Sequence, residues 1–154
     1  MKTFLHLGCG LKPIKSNSVY KVTNLDILDL PGVDIVAPAY PVTFPDKSFD
    51  IVYASHLLEH YSKKMVPDVL KEWTRILKQD GKLRISLPDF SVLADLYVKY
   101  KRLDLMGPVL GAQHSFYDYH FSIFDNQALT RLMEEAGLIA IHPWNPERVF
   151  HTGE

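Results

Sequence analysis

Apolar positions along this chain switch between two spacings. Short apolar runs closed by turn-forming residues recur: "TFLHLG" (3–8), "YKVTNLDI" (20–27), "VDIVA" (33–37), "SFDIVYAS" (48–55), "GKLRISLP" (81–88) and "LIAIHPW" (138–144). Runs of this length, bounded by Gly, Pro, Asp or Asn, predict six buried strands. Between them the spacing changes to three or four. Met65, Val66, Val69, Leu70, Trp73, Ile76 and Leu77 recur at that interval, which predicts a helix over 64–78 with one buried face. Ser62 is its expected N-cap, Pro67 falls in its first turn, and Asp80-Gly81 turns the chain into the fifth strand. A second helix from Ser91 is expected to bury Leu93, Leu96, Tyr97 and Tyr100. A third starts at the cap Asp125, buries Leu129, Leu132 and Met133, and stops at Gly137.

Strands alternating with helices imply crossover connections, hence an α/β fold with a mostly parallel sheet covered on both faces. No repeat or linker-like stretch interrupts the pattern, so residues 1–154 read as one domain. Composition changes this picture little, with 47% hydrophobic and 23% charged residues as in an ordinary globular protein. A formal net charge of −1 supplies no chain-wide basic field and argues against a nucleic-acid partner. The charges of "YVKYKRLD" read as a solvated helix face. No apolar stretch approaches the roughly 20 residues of a membrane span, and the N-terminal run is too short for a signal peptide. The single cysteine, Cys9, excludes an internal disulfide and fits a reducing compartment. The expectation is a cytoplasmic protein without membrane association.

Sheets of this kind bind ligands outside the carboxyl ends of their strands. Those ends deliver Gly8-Cys9-Gly10, Asp26, Ala37-Pro38-Ala39, Ser55-His56 and Pro88-Asp89. Glycines after the first strand let a ligand approach the backbone, and an acid after the second can accept from both hydroxyls of a ribose. That pairing suggests an adenosine-containing ligand. A pyrophosphate fits less well, because Pro13 stands where a dinucleotide fingerprint has its third glycine. The stretch from Gly10 to Asp26 is also short for a crossover helix, and no Gly-Lys-Ser/Thr exists for a P-loop.

Three segments, "LHLGCG", "NLDI" and "FPDKSFDIVYASHLLEHY" followed by "LKEWTRILKQDGKLRISLPD", together resemble class I S-adenosylmethionine (SAM)-dependent methyltransferases of the type 11 branch. Their order and spacing agree over residues 3–90, and "FDNQALTRLMEEAGL" fits the helix before strand six. The resemblance implies a Rossmann-like three-layer sandwich, SAM as cofactor and S-adenosylhomocysteine as product. Leu7, Gly8, Cys9 and Gly10 would then belong to the cofactor cradle, the Gly-Cys-Gly backbone lining the methionine part. Asp26 would hold the ribose, Leu25 or Ile27 would lie near the adenine, and Ala37, Pro38 and Ala39 would form its edge. Ala54, Ser55 and His56 would lie below the sulfonium, with Leu57 sealing the pocket. Departures from the family pattern are His6 in place of an acid, Pro38 in place of an Asp, and an abbreviated first crossover. No strand is read after Trp144, so the last strand is expected to be missing or incomplete. An open sheet edge could be covered by a second subunit, as in a homodimer.

The segment "GAQHSFYDYHFSIFD" (111–125) falls where such enzymes commonly build the wall for the methyl acceptor. Tyr117, Asp118, Tyr119 and Asp89 are candidates for substrate contact, and His120, His114 and His56 for proton removal. His60 reads equally as a base or a structural hydrogen-bonding residue. His114 and His120 lack a familiar ligand spacing, so no metal is expected. Cys9 reads as a small buried residue rather than a nucleophile. Asp46 and Asp50 read as turn residues, Trp73 and Trp144 as packing residues. The expected activity is methyl transfer to a small-molecule or saccharide-type acceptor. One alternative is a methyltransferase fold that binds or regulates without catalysis. A nicotinamide-dependent oxidoreductase is a second, which Pro13 opposes.

Overall fold

The computed structural model describes residues 1–101, 104 and 106–144, and within them five strands form one parallel sheet. They are β1 (Lys2–Leu7), β2 (Tyr20–Asp26), β3 (Ile35–Val36), β4 (Phe49–Ser55) and β5 (Leu77–Ser86), in the spatial order β3-β2-β1-β4-β5. Four helices accompany them: α1 (Val66–Arg75), α2 (Phe90–Tyr100), α3 (Met106–Leu110) and α4 (Asn126–Glu135).

Both sheet faces are buried, as a period of two with apolar residues on each side requires. Leu5, Leu7, Leu25, Val52 and Ala54 face one way and pack with Val66, Val69, Leu70 and Trp73 of α1 and Met133 of α4. Phe4, Tyr20, Val22, Ile51 and Tyr53 face the other way. Among the described residues that second face is covered by Ile14 and Trp144 rather than by a helix. The connection from β1 to β2 is a loop with no helix, as its length predicts. Side chains hold it in place. Asn24 of β2 exchanges two hydrogen bonds with the Ile14 backbone, at 2.9 and 3.0 Å, and Ser16 Oγ accepts from Val22 N–H at 2.9 Å.

Several expected boundaries move. The helix predicted over 64–78 spans only Val66–Arg75, and its N-cap is Met65 rather than Ser62, whose carbonyl accepts from Met65 and Val66 N–H. The shortening has a tertiary cause, since Leu77 already pairs with Phe49, and a bulge then carries β5 past Gly81 before Lys82 pairs with Ile51. The run 33–37 contributes only Ile35–Val36 to the sheet. Residues 138–144 form no strand; Leu138 and Ile141 instead pack against the α1 side of the core. The expected cap Asp125 accepts from Ala128 N–H. Asp89, expected as a substrate contact, instead caps α2 by accepting from Ser91 N–H and starts that helix one residue early at Phe90.

The second helix does not bury its apolar positions. No residue of α2 is buried, and Phe90, Val92, Leu96, Tyr97, Val98 and Tyr100 are exposed. β5 is the edge of the described sheet, so no further strand lies beside it for α2 to cover. Residues 145–154, over which no strand was expected, lie outside the described residues, as do 102, 103 and 105.

His6 sits on the second face, buried and stacked on Tyr53 at 5.0 Å between centroids. Burial pulls its imidazole down to about 4, against the opposing influence of the Asn24 side chain and the charge of Asp26. The unfolded chain, with its ordinary value of 6.5, takes up a proton that the folded chain refuses. The resulting stabilisation is therefore complete above 6.5 and is lost as pH falls toward 4, by roughly 3 kcal/mol in all. His6→Leu should flatten the dependence of urea-unfolding free energy on pH between 7 and 4. An unaltered slope would show that other groups carry the acid sensitivity.

Candidate cofactor and acceptor site

The site begins where β1 ends. Cys9 N–H donates to the Leu25 carbonyl at 3.1 Å, and Gly8 and Gly10 take φ of +61° and +53°, a region that glycine enters without a Cβ penalty. A Cβ on Gly8 would lie 2.9 Å from Leu57 Cδ1, whereas one on Gly10 would meet nothing within 4 Å. The turn is thus packed on its β4 side and open at Gly10.

Asp26 stands beside it, buried at the end of β2. Its Oδ2 accepts from Gly10 N–H at 2.7 Å and its Oδ1 from Leu28 N–H at 2.9 Å. Each oxygen keeps a second lone pair, so the carboxylate can still receive hydroxyl donors. This link between acid and glycine turn is invisible in a strand-by-strand reading. The Cys9 thiol is pushed up to about 11 by burial and then by Asp26, which makes it unreactive.

The neighbouring edge follows from β2 and β3. Leu7 and Leu25 are core residues, whereas Ile27 and Leu28 are exposed next to Asp26. Ala37 N–H donates to the Asp26 carbonyl at 2.9 Å, Pro38 is exposed, and the Ala39 carbonyl accepts from buried Trp73 Nε1–H at 2.8 Å. Pro13 of the first loop packs against Gly32, where a Cβ would come within 2.5 Å of its ring.

Across the site, β4 ends at Ser55, paired with Ser86 of β5. His56 N–H donates to the Ser86 carbonyl at 2.8 Å while His56 itself takes φ +50°, a conformation uncommon for a residue with a Cβ. A short 3₁₀ turn, Leu58–His60, follows. Glu59 is buried at 2% exposure, and among the described residues neither carboxyl oxygen has a hydrogen-bond partner. His56 Nδ1 lies 3.4 Å from Glu59 Oε1, and that carboxyl raises the His56 imidazole above its ordinary value, against burial and Lys12.

The 111–124 segment reaches this turn through main-chain bonds. The Glu59 carbonyl accepts from Phe121 N–H at 2.8 Å and Ser122 N–H at 3.2 Å, and Ser122 Oγ donates to the Tyr61 carbonyl at 2.7 Å. His60 Nδ1 donates to the Tyr119 carbonyl at 2.9 Å and His120 Nδ1 to the Pro108 carbonyl at 3.0 Å. A carbonyl only accepts, so both rings carry hydrogen on Nδ1. The two rings meet edge to face at 4.8 Å. Burial lowers His120, partly offset by Glu59. Glu59 and His120 line one narrow cavity with Pro88, Phe90, Leu93 and Phe124. Gly111 makes the crossing tight, since a Cβ there would overlap the Asp118 carbonyl oxygen.

The structure therefore gathers His56, Glu59, His60 and His120 at one end of β4. It does not gather every candidate. His114 is exposed and takes no part in these bonds, Tyr117 and Tyr119 are half-exposed, and Asp118 between them ends a 3₁₀ turn, Phe116–Asp118. Asp89 is occupied with Ser91 N–H and Oγ at the start of α2. Glu59 is the residue whose burial the sequence pattern did not single out; its one signal is an acid directly after the apolar pair of "SHLLEH". Among the described residues no group of three or more His, Cys, Asp or Glu side chains is set to hold a metal ion. Nor is any helix among them long and apolar enough to cross a membrane.

A family model described as "Methyltransferase domain" matches residues 5–85, just over half of the chain. No curated protein matches. Similar solved structures include a Burkholderia thailandensis 1,6-didemethyltoxoflavin-N1-methyltransferase with bound 1,6-didemethyltoxoflavin and S-adenosylhomocysteine, 13% identical with a TM-score of 0.59 over 88% of this chain and 59% of that one. A SAM-dependent methyltransferase from Thermotoga maritima is 21% identical, TM-score 0.58, over 89% and 64%. Another from Archaeoglobus fulgidus is 18% identical, TM-score 0.58, over 88% and 60%. The chain spans about six-tenths of the length of these proteins. At such identities the likeness is one of fold.

Proposed function

Because this chain belongs to the methyltransferase domain family, we propose that it binds SAM at the glycine turn and Asp26 and passes the methyl group to a small-molecule or saccharide-type acceptor. The observation that carries this reading is the buried Asp26 carboxylate, bonded to Gly10 N–H at 2.7 Å with acceptor capacity to spare. It stands beside a backbone turn that a ligand can approach at Gly10. The donors and acceptors present fit the cofactor. Asp26 accepts from ribose hydroxyls, the Gly8–Gly10 backbone meets the methionine part, and Ile27 with Ala37, Pro38 and Ala39 flanks the adenine. Once bound, the cofactor supplies a methyl group on a sulfonium, the carbon–sulfur pair staying on sulfur as S-adenosylhomocysteine forms. The chain's own work is to hold the acceptor in line and exclude water. Ser55, His56 and the 111–124 segment with Tyr117, Asp118, Tyr119 and His120 are the groups for it; His114 is exposed and Asp89 is engaged at the start of α2. A fold that binds without catalysing is a second reading, favoured by β5 being the edge of the sheet among the described residues, where a partner or second copy could pair.

Calorimetric titration with SAM, S-adenosylhomocysteine and NADH tests the reading. Binding of the first two and not the third is expected. Failure of both adenosyl compounds to bind at millimolar concentration would remove the enzymatic assignment.

A further inference from the structure

We propose that Glu59 positions His56 as the base that takes the proton of a hydroxyl-bearing acceptor; the inference rests on the methyltransferase reading above. A carboxyl group taken out of water without a hydrogen bond is costly, and folded proteins rarely keep one without a use. Glu59 is 2% exposed, and among the described residues both of its oxygens lack hydrogen-bond partners. Its structural duty is done by the main chain, whose carbonyl receives Phe121 and Ser122. The side chain caps nothing, because the 3₁₀ turn it belongs to has no side-chain cap bond.

What the carboxyl does face is His56, with Nδ1 at 3.4 Å from Oε1. An oxygen acceptor there keeps hydrogen on Nδ1 and leaves the lone pair on Nε2, which is the arrangement a proton acceptor needs. The separation is long for a formed hydrogen bond, as is usual before a substrate closes such a site. The His56 side chain is 64% exposed, so an acceptor can reach it. Its backbone is held in a left-handed conformation directly after β4, next to Leu57, which packs on the glycine turn. Strained backbone of this kind concentrates at functional sites. His60 and His120 differ, because their Nδ1 atoms face neutral main-chain carbonyls rather than a carboxyl.

The step balances simply. The acceptor's O–H pair stays on oxygen and forms the new bond to the methyl carbon, while the proton joins the Nε2 lone pair. The resulting imidazolium stands against Glu59 and later loses its proton to water. The charged or titratable groups that act on His56 are Glu59 from its own turn, Lys12 from the first loop and His120 from the 111–124 segment. Of these Glu59 dominates and raises His56. Removing that carboxyl therefore moves the His56 titration to lower pH.

Histidine NMR titration of the whole chain tests the pairing, with His56→Ala identifying the resonance. The His56 midpoint is expected above 6.5 in the wild type and lower in Glu59→Gln. S-adenosylhomocysteine binding by the same variant, measured calorimetrically, should stay within about threefold, less than 1 kcal/mol, of wild type. A wild-type midpoint below 6.5 overturns the pairing without any variant, and so does an unmoved midpoint in a folded Glu59→Gln protein. Radiolabelled SAM presented with phenols, sugars, amines and thiols then tests the base. Transfer to a hydroxyl is expected, its rate rising with pH through the His56 midpoint and that limb shifting down in Glu59→Gln. Transfer confined to amines or thiols, or a limb that does not shift, overturns the base role. If S-adenosylhomocysteine binds and nothing is methylated, the enzymatic reading falls and the base role with it. Absence of cofactor binding removes the methyltransferase reading and the base role with it, whereas the Glu59–His56 pairing stands or falls on the titration alone.

Discussion

Asp26→Ala is expected to lower affinity for S-adenosylhomocysteine by at least about 100-fold. A hydrogen bond to a charged acceptor is worth about 1.5–3 kcal/mol, so two ribose hydroxyls on one carboxylate account for that loss. The substitution also strips acceptors from Gly10 and Leu28 N–H, which the carboxylate holds at 2.7 and 2.9 Å. The glycine turn would therefore loosen together with the ribose site. Asp26→Asn separates the two effects, because one acceptor oxygen can stay on Gly10 while the charge is lost. Calorimetry on both variants, beside their melting temperatures, measures this. Affinity within threefold of wild type in a folded Asp26→Ala protein would move the ribose site elsewhere.

The second large effect lies in the core. Trp73 of α1 is fully buried among the residues of the first face and meets Tyr61 edge to face at 6.4 Å. Its Nε1–H donates to the Ala39 carbonyl at 2.8 Å, so the residue joins a helix to the edge beside Asp26. Trp73→Ala should cost about 3–5 kcal/mol through the lost ring and the cavity it leaves. That is a large share of the roughly 5–15 kcal/mol by which a domain is stable. Trp73→Phe keeps most of the packing and leaves the carbonyl unpaired, at about 1–3 kcal/mol. Urea midpoints at constant slope would read both losses. A Phe variant as stable as wild type would show that water satisfies Ala39, and its cofactor affinity should then also be unchanged.

These predictions draw on different sources. Asp26 and the two glycines were legible in the sequence because each is the local end of a strand, and a strand ends where its apolar run meets a turn-former. The cap Asp125 was legible for the same reason, whereas Asp89 was read as a substrate contact and its capping of α2 was not. Both sheet faces could be inferred because apolar runs without alternation must be covered on each side. Reading the chain as a string could not show that Leu77 would leave its helix to pair with Phe49, or that Ile139 would stay 88% exposed outside the sheet. Periodicity records which residues can pair; the partner decides whether they do. The same limit hid the apolar face of α2, which is exposed because β5 is the edge of the described sheet.

The site divides along the same line. The sequence by itself determined an α/β chain with a glycine turn and an acid at adjacent strand ends, since those features depend on neighbours a few residues apart. Tertiary structure alone decided that Asp26 holds Gly10, that Trp73 holds Ala39, and that a buried Glu59 faces His56 beneath a segment some sixty residues away. Hydrogen bonds and desolvation act through space. Their partners are set by the register of the sheet and by close crossings such as that at Gly111, neither of which a linear pattern records.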